Sequence, residues 1–164
     1  MTISNLQDAF VEELQDLFSE RKYKKPYSEN EERVALKVYS QALPKSFRLE
    51  DEEPPELSLA PYIIVELDEG NSGNTDKAEQ VKMRLIICIY DDEENNQGHK
   101  DVMEIIEQVK NRFLINPLLK NQYRYNEDEG IQWALPDDDT HPYFFGGLDI
   151  TFEAPTVRKE DDWC

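Results

Sequence analysis

Cysteine is scarce in this sequence, with two residues among 164: Cys88 within an apolar run and Cys164 at the last position. A small secreted domain that depends on disulfides carries an even framework of spaced cysteines. This pair does not form such a framework. We therefore expect Cys88 to be a small, buried apolar side chain and Cys164 to be a free thiol.

Basic residues are also few, with 18 Lys and Arg against 36 Asp and Glu and a formal net charge of −18. The one basic cluster is Arg21-Lys22-Tyr23-Lys24-Lys25. A surface this acidic repels phosphate groups, whether they belong to nucleic acids or to anionic lipids. We predict no specific nucleic-acid binding and no membrane binding.

Long hydrophobic runs are missing as well. The longest apolar stretches fall far short of the length that crosses a bilayer. The first residues, MTISNLQDAFVEEL, contain acids and have no apolar segment of the kind found in signal peptides. The sequence therefore predicts a protein that is made and kept in the cytosol.

Residues for catalysis are few and badly placed. The two histidines, His99 and His141, are separated by a predicted helix and strand. A nucleophilic cysteine needs an electropositive, partly exposed site, which neither Cys88 nor Cys164 offers. The only glycine pair, Gly146-Gly147, precedes a strand instead of a helix, which favours a bulge or tight bend over a phosphate loop. We predict no catalytic residues and no enzyme.

Acidic runs raise the question of a metal site. Residues 91–94 are four consecutive acids, and residues 137–139 are three aspartates close to His141. Neither run has the spacing of a calcium-binding EF-hand loop, so solvated loops are favoured. The alternative is weak binding of Mg²⁺ or Ca²⁺ shared between subunits. We predict no dedicated metal site and no cofactor.

Two stretches have the apolar spacing of amphipathic helices, with gaps of three and four residues. The first helix is predicted from Ile3 to about Arg21, and the second ends before Pro117. The apolar positions of the first are Ile3, Leu6, Phe10, Leu14, Leu17 and Phe18. Those of the second are Val102, Ile105, Ile106, Val109, Phe113 and Leu114.

The strongest strand signals are Tyr62–Leu67 and Val81–Tyr90, separated by a turn-rich stretch. They predict a long antiparallel hairpin whose tip, near residues 69–78, is mobile. Leu148, Ile150 and Phe152 alternate with polar residues as in a half-buried strand. Further short strand candidates lie at residues 34–43, 122–126 and 131–135.

These elements predict an α+β fold with an antiparallel or mixed sheet, a long hairpin, and both amphipathic helices packed on one face. We expect a single domain over residues 1–164. Within it, residues 44–60 are predicted to be an exposed, acidic, proline-rich loop, and residues 156–164 a charged C-terminal tail.

Two apolar segments are candidates for contact between subunits. The second half of the Val81–Tyr90 strand is apolar on both faces, so both faces need cover. Three adjacent aromatics in an extended segment cannot all enter one core, because neighbouring side chains point to opposite faces. Either these residues fill the core or some of them meet a second subunit. The candidates are Ile86, Cys88, Tyr90, Tyr143, Phe144 and Phe145.

The order of these segments resembles the tail terminator, or tail completion, proteins (minor tail protein U-like) of long-tailed phages and prophages. The resemblance covers residues 60 to 157. Phe144 and Phe152 stand where that family has tryptophan, and Gly147 stands where it has an acid. The counterparts of its motifs are Tyr90-Asp91, Gly98, Trp133-Ala134-Leu135-Pro136, Pro142-Tyr143-Phe144-Phe145-Gly146 and Thr151-Phe152-Glu153-Ala154-Pro155.

The resemblance implies a structural virion protein that forms a ring, usually hexameric, on the head-proximal end of the tail tube. Such a ring stops tube polymerisation and joins the tube to the head–tail connector. The implied partners are further copies of the chain, the tail tube protein and the connector proteins. The implied locations are the bacterial host cytoplasm during assembly and the virion tail. A different neck or head-completion protein is the first alternative, and a small acidic metal-dependent enzyme the second.

Overall fold

The computed structural model describes residues 3–44, 59–72 and 78–155. Most of the predicted loop at 44–60, the centre of the hairpin tip, the C-terminal tail and Cys164 lie outside the described residues. The described helices are α1 (Ile3–Leu17) and α2 (His99–Ile115). The described strands are β1 (Lys22–Lys24), β2 (Arg33–Ala35), β3 (Lys37–Ser40), β4 (Tyr62–Asn71), β5 (Glu79–Tyr90), β6 (Leu118–Leu119), β7 (Tyr123–Tyr125), β8 (Ile131–Ala134) and β9 (Tyr143–Ala154).

Seven of these strands form one sheet in the order β3-β4-β5-β9-β7-β6, with β8 also paired to β9. Every pair is antiparallel except β3 with β4. β1 and β2 form a separate two-stranded sheet. The predicted α+β class with a mixed sheet and a long hairpin is confirmed.

Both helices pack on the same face of the sheet, as their apolar stripes predicted. Phe10 of α1, Phe113 of α2 and Phe152 of β9 meet edge to face with ring centroids 5.1 to 5.5 Å apart. All three rings are buried. Burial of a phenylalanine contributes roughly 1.5–3 kcal/mol, so this trio joins the two helices to the strand at the centre of the core.

The hairpin is longer than predicted. β4 continues to Asn71 and β5 begins at Glu79, so residues 69–71 belong to a strand and not to the turn. Gly70 pairs with Val81 and Asn71 with Gln80. Backbone pairing with β5 outweighs the weak strand propensity of this segment.

The N-terminal third differs in detail from its prediction. α1 ends at Leu17, and the basic cluster that follows forms β1 with Tyr23 buried at its centre. The single strand expected over residues 34–43 is two strands, β2 and β3, on either side of Leu36. Strands of three residues carry too little alternation to be recognised in a sequence.

Leu114 is 59% exposed, which corrects its placement on the buried stripe of the second helix. Phe113 is fully buried in the core. Each helical residue is rotated by about 100° from the one before it, so adjacent residues near the edge of a stripe can face in different directions. The apolar stripe therefore ends at Phe113.

β9 begins at Tyr143 and runs through both glycines, which contradicts the predicted bulge or bend at Gly146-Gly147. Gly146 pairs with Ile87 and Gly147 with Ile86 without a shift in register. A Cβ at position 146 would lie 2.4 Å from a methyl carbon of Val102. Gly146 therefore makes room for a side chain of α2 on an uninterrupted strand.

Candidate subunit interface

The sheet has a second face, directed away from the helices, which we call the outer face. Along β5 it carries Lys82, Arg84, Ile86, Cys88 and Tyr90, because alternate residues of a strand share a face. The side chains therefore change from charged to apolar along one strand. The face has a charged half beside the start of β5 and an apolar half beside its end.

The apolar half is a cluster separate from the main core, and we call it the outer cluster. Its aromatic contacts continue to the surface. The Tyr90 ring lies 5.3 Å from Tyr143 and 5.9 Å from Tyr27, which is 60% exposed. Its buried members are Ala60, Tyr62, Ile64, Cys88, Tyr90 and Tyr143, and its half-buried members are Tyr39, Leu43, Leu59, Ile86 and Phe145.

The outer cluster contains five of the six candidate contact residues. Cys88, Tyr90 and Tyr143 are buried within this chain itself. Ile86 and Phe145 are half-buried and line the accessible side of the cluster. The prediction that both faces of this strand need cover is confirmed by these burials. Contact with a second subunit stays a prediction.

Phe144, the sixth candidate, lies on the opposite face. Its ring packs against the main core and would overlap a Cβ at Gly98, the residue that precedes α2. It also lies 6.1 Å from the ring of His141. Phe144 thus fixes the start of α2 against β9, and only its neighbours on either side, Tyr143 and Phe145, belong to the outer cluster.

Cys88 shows the chemical character of the outer cluster. Its side chain is fully buried, and this burial raises the pKa of the thiol to about 12, although a hydrogen bond with Tyr62 works in the opposite direction. A thiol that stays protonated is a poor nucleophile. The expectation that Cys88 is a small buried apolar residue is confirmed.

The charged half of the outer face is a ladder of ion pairs between neighbouring strands. The Nε atom of Arg84 lies 2.9 Å from a carboxylate oxygen of Asp149. Asp68 lies 3.7 Å from both Lys82 and Arg84. These pairs are partly exposed, so each stabilises the fold only weakly. Their effect is to keep this half of the face hydrated.

The acidic run at residues 91–94 is held by a lysine of the basic cluster. The ammonium group of Lys24 lies 3.3 to 3.6 Å from carboxylate oxygens of Asp91, Asp92 and Glu93. Partial burial disfavours the charged form, but these carboxylates outweigh it and raise the pKa of Lys24. The two acidic runs considered as metal sites also come close together here, because a ring nitrogen of His141 lies 3.0 Å from the carbonyl oxygen of Glu93.

Groups of metal-ligating side chains and membrane-spanning helices were both sought in the described residues. Among residues 3–44, 59–72 and 78–155, no three His, Cys, Asp or Glu side chains are grouped as around a metal ion. In the same part of the chain, neither helix has both the length and the apolar character needed to cross a bilayer.

Sequence reasoning missed Tyr39, Leu43 and Leu59, which complete the outer cluster. Tyr39 alternates with the buried Val38 along β3, so period-two spacing was a usable signal for it. Leu43 and Leu59 lie outside the strands, at the borders of a proline-rich acidic segment. Only the folded chain shows that both residues pack against the outer cluster.

No protein-family model matches the chain, and no curated protein matches it. The likeness to tail terminators therefore stays an expectation drawn from the order of the motifs.

Proposed function

We propose that the chain is a structural phage protein that assembles through the outer face of its sheet into a ring on the head-proximal end of a tail tube. The observation that carries this proposal is the outer cluster. Half-buried aromatic and aliphatic side chains lie together on a sheet face that has no helix over it in the described residues. Contiguous apolar surface of this kind is typical of contacts between proteins.

The contact between motif segments supports the same proposal. Of the five segments that resemble motifs of tail terminators, two lie on β9 and the other three pack around it. Gly98 touches Phe144, and Leu135 lies within 3.3 Å of the place that a Cβ of Gly146 would occupy. Tyr90 touches Tyr143. The folded chain thus brings these motif segments into contact.

Charge sets the conditions under which a ring would form. Each copy carries a formal net charge of −18, so neighbouring subunits repel one another at low ionic strength. Salt screens this repulsion over about 10 Å at 0.1 M. An acidic ring would also offer no partner to the phosphates of DNA that passes through it. We expect assembly to be favoured by moderate salt or millimolar Mg²⁺.

The test is the size of the purified protein in solution, measured by light scattering after gel filtration at low salt, at moderate salt and with Mg²⁺. We expect a closed oligomer, with six copies as the most frequent state, visible as rings in electron micrographs. The variant Ile86→Arg should remain folded but monomeric, because it places a charge within the contact. The matched control Leu114→Arg replaces an exposed apolar residue elsewhere and should assemble normally.

A protein that is monomeric under every condition, and also when mixed with tail tubes of the same phage, would contradict the proposal. Assembly that Ile86→Arg leaves intact would place the contact on another surface. If the oligomer binds DNA-filled heads and not tail tubes, the chain is a head-completion protein. Hexamers that persist at very low salt with a chelator would show that apolar contact outweighs the repulsion.

A further inference from the structure

Strand β8 lies at an edge of the sheet and leaves one side of its backbone without a partner in the described residues. It pairs with β9 from Ile131 to Ala134, in register with Ile150 to Gly147. Within residues 3–44, 59–72 and 78–155, no backbone hydrogen bond joins the other side of β8 to another strand or loop. An open edge of this kind is a template for an additional strand.

The sequence of β8 lacks the usual protection of an edge. Residues 130–136 contain no charged side chain, although a third of the whole chain is charged. The opposite edge of the sheet, β3, begins with Lys37, and β6 is only two residues long. Lysine and short length are the devices that keep edge strands from pairing with other chains. β8 has four residues, as β3 does, but it carries no lysine or other charged side chain, so its edge is open to pairing.

Trp133 gives this edge an exposed aromatic side chain that can distinguish one partner from another. Its side chain is 47% exposed, while Ile131 and Leu135, which share its face of the strand, pack against the main core. Tryptophan is among the residues that contribute most to binding when a partner covers them. A strand added beside β8 would place a side chain next to Trp133.

The other face of β8 borders a polar groove of about 500 Å³. Gln132 and Glu129 line it on one side, and Lys82 and Gln80 of β5 line it on another. Alternate side chains of an added strand would lie on the same face of the sheet as this groove, beside Gln132, because successive residues of a strand face in opposite directions. The edge therefore has one apolar position and one polar position to select a partner.

Charge defines the partner. Acidic triplets lie on both sides of the uncharged segment, at residues 127–129 and 137–139. In the described residues Arg124 lies 3.5 Å from Glu127, and no Lys or Arg pairs with the second triplet. An extended segment with Lys or Arg at both ends and uncharged residues between them complements this pattern.

A second copy of this chain contains segments with basic ends and uncharged residues between them, at residues 33–37 and 120–124, but their strands are already paired within their own fold: Arg33–Ala35 with β1, Lys37 with β4, and Arg124 with β9. In the basic cluster at residues 21–25, most of the charge is already paired as well. Arg21 pairs with Glu104, and Lys25 lies 3.8 Å from Glu32. Lys24 is held by the acidic run at residues 91–94.

We propose that the free edge of β8 binds an extended segment of a different protein, by strand addition, with uncharged residues beside Trp133 and basic residues against the two acidic triplets. This binding is distinct from the ring contact at the outer cluster. It would exist whether or not the chain forms a ring, so the two proposals fail in different measurements.

The test uses a synthetic peptide in which alternating threonine and valine residues lie between a pair of lysines at each end. Binding is measured by calorimetry with the full-length protein, and hydrogen exchange locates the protected amides. We expect protection of residues 131–134. Exchanging the lysines for glutamates, or methylating alternate backbone nitrogens of the peptide, should weaken binding by about tenfold or more.

Variants of the protein separate this edge from other surfaces. Trp133→Lys should weaken peptide binding by about tenfold or more, because lysine protects an edge. The matched control Leu114→Lys should bind as the wild type does. Changing Asp137, Asp138 and Asp139 together to Asn should weaken binding and reduce its salt dependence, whereas the same neutralisation of residues 92–94 should do neither.

Three results would overturn the proposal. The first is no binding of the lysine-flanked peptide at millimolar concentration. The second is equal binding of the lysine-flanked and glutamate-flanked peptides. The third is self-association of the protein that Trp133→Lys abolishes, since this would show a second copy on the β8 edge. If Trp133→Lys does not fold, the aspartate variant alone decides.

Discussion

The two faces of the central sheet differ in how completely this one chain covers them. On the helix face, Val81, Met83, Leu85, Ile87 and Ile89 of β5 are all at most 2% exposed. On the outer face, the same strand changes from the exposed Arg84 through the half-buried Ile86 to the buried Cys88. On the helix face the side chains of β5 are buried in the core along the whole strand. On the outer face their exposure decreases from the start of the strand to its end. Substitutions at adjacent positions therefore report on different kinds of burial.

The largest contrast is expected between Ile87→Asp and its neighbour Ile86→Asp. Ile87→Asp buries an unpaired carboxylate against both helices and should reduce the free energy of unfolding by more than about 4 kcal/mol. Ile105→Asp on α2 should do the same, since Ile105 is fully buried in the same core. Ile86→Asp should lose about 1–2 kcal/mol, because its side chain keeps access to water. Urea unfolding followed by circular dichroism measures all three, and equal losses at positions 86 and 87 would contradict the difference between the faces.

The next contrast is between the two glycines of β9. Gly146→Ala places a methyl group 2.4 Å from Val102 and 3.3 Å from Ile106 on the helix face, and should cost about 1–3 kcal/mol. Gly147→Ala meets only a carbonyl oxygen at 3.7 Å on the outer face, and should change stability by less than about 0.5 kcal/mol. Thermal unfolding of the two variants gives the comparison. A Gly147→Ala variant that is the less stable of the two would show that the outer face is packed more tightly than the helix face.

A smaller effect is expected from Cys88 at alkaline pH. Burial raises the pKa of its thiol from 9.0 to about 12 in the folded chain. A group whose pKa is raised on folding stabilises the fold below its unfolded pKa and loses that contribution as the pH rises toward the folded value. Between about pH 8 and pH 10 the wild type should therefore lose roughly 1.4 kcal/mol more than Cys88→Ala. Urea unfolding of both proteins in a Cys164→Ser background tests this, and parallel pH profiles would mean that the thiol is accessible to water.

The smallest effect is expected in the charged half of the outer face. Arg84→Gln removes the pairing with Asp149 and Asp68, which partly exposed side chains make in competition with water and salt. The loss of stability should be smaller than the losses expected for Ile87→Asp, for Gly146→Ala and for the Cys88 thiol at alkaline pH. It should disappear in concentrated salt. Thermal melts at low and high ionic strength measure it. A large loss that salt leaves unchanged would show that this half of the face is shielded from solvent.

The elements that the sequence predicted well are those in which a local period is repeated over many residues. α2 and the strands of the long hairpin have three or more turns or pairs of residues in phase, so periodicity alone identified them. β1 and β6 have three and two residues, and nothing in so short a segment separates a strand from a loop. Leu114 was misplaced because periodicity defines a stripe but not its last member.

Only part of the candidate interface could be predicted from the sequence. Alternation showed that Ile86, Cys88 and Tyr90 share one face of the strand beyond Arg84, and this follows from strand geometry alone. It could not show that Phe144 lies on the opposite face of the sheet from Tyr90 until the pairing of β5 with β9 was known. Leu43 and Leu59 joined the cluster through contacts across a long sequence separation.

The sequence by itself determined the charge, the two amphipathic helices, the hairpin and therefore the α+β class, because these depend on composition and on short-range periodicity. Only the tertiary structure decided which apolar side chains are covered. Strand register sets β9 beside β5 and brings Tyr143 to Tyr90, and it also leaves β8 as an edge with Trp133 exposed. Register depends on contacts between distant segments, and a shift of one residue would exchange the two faces of a strand.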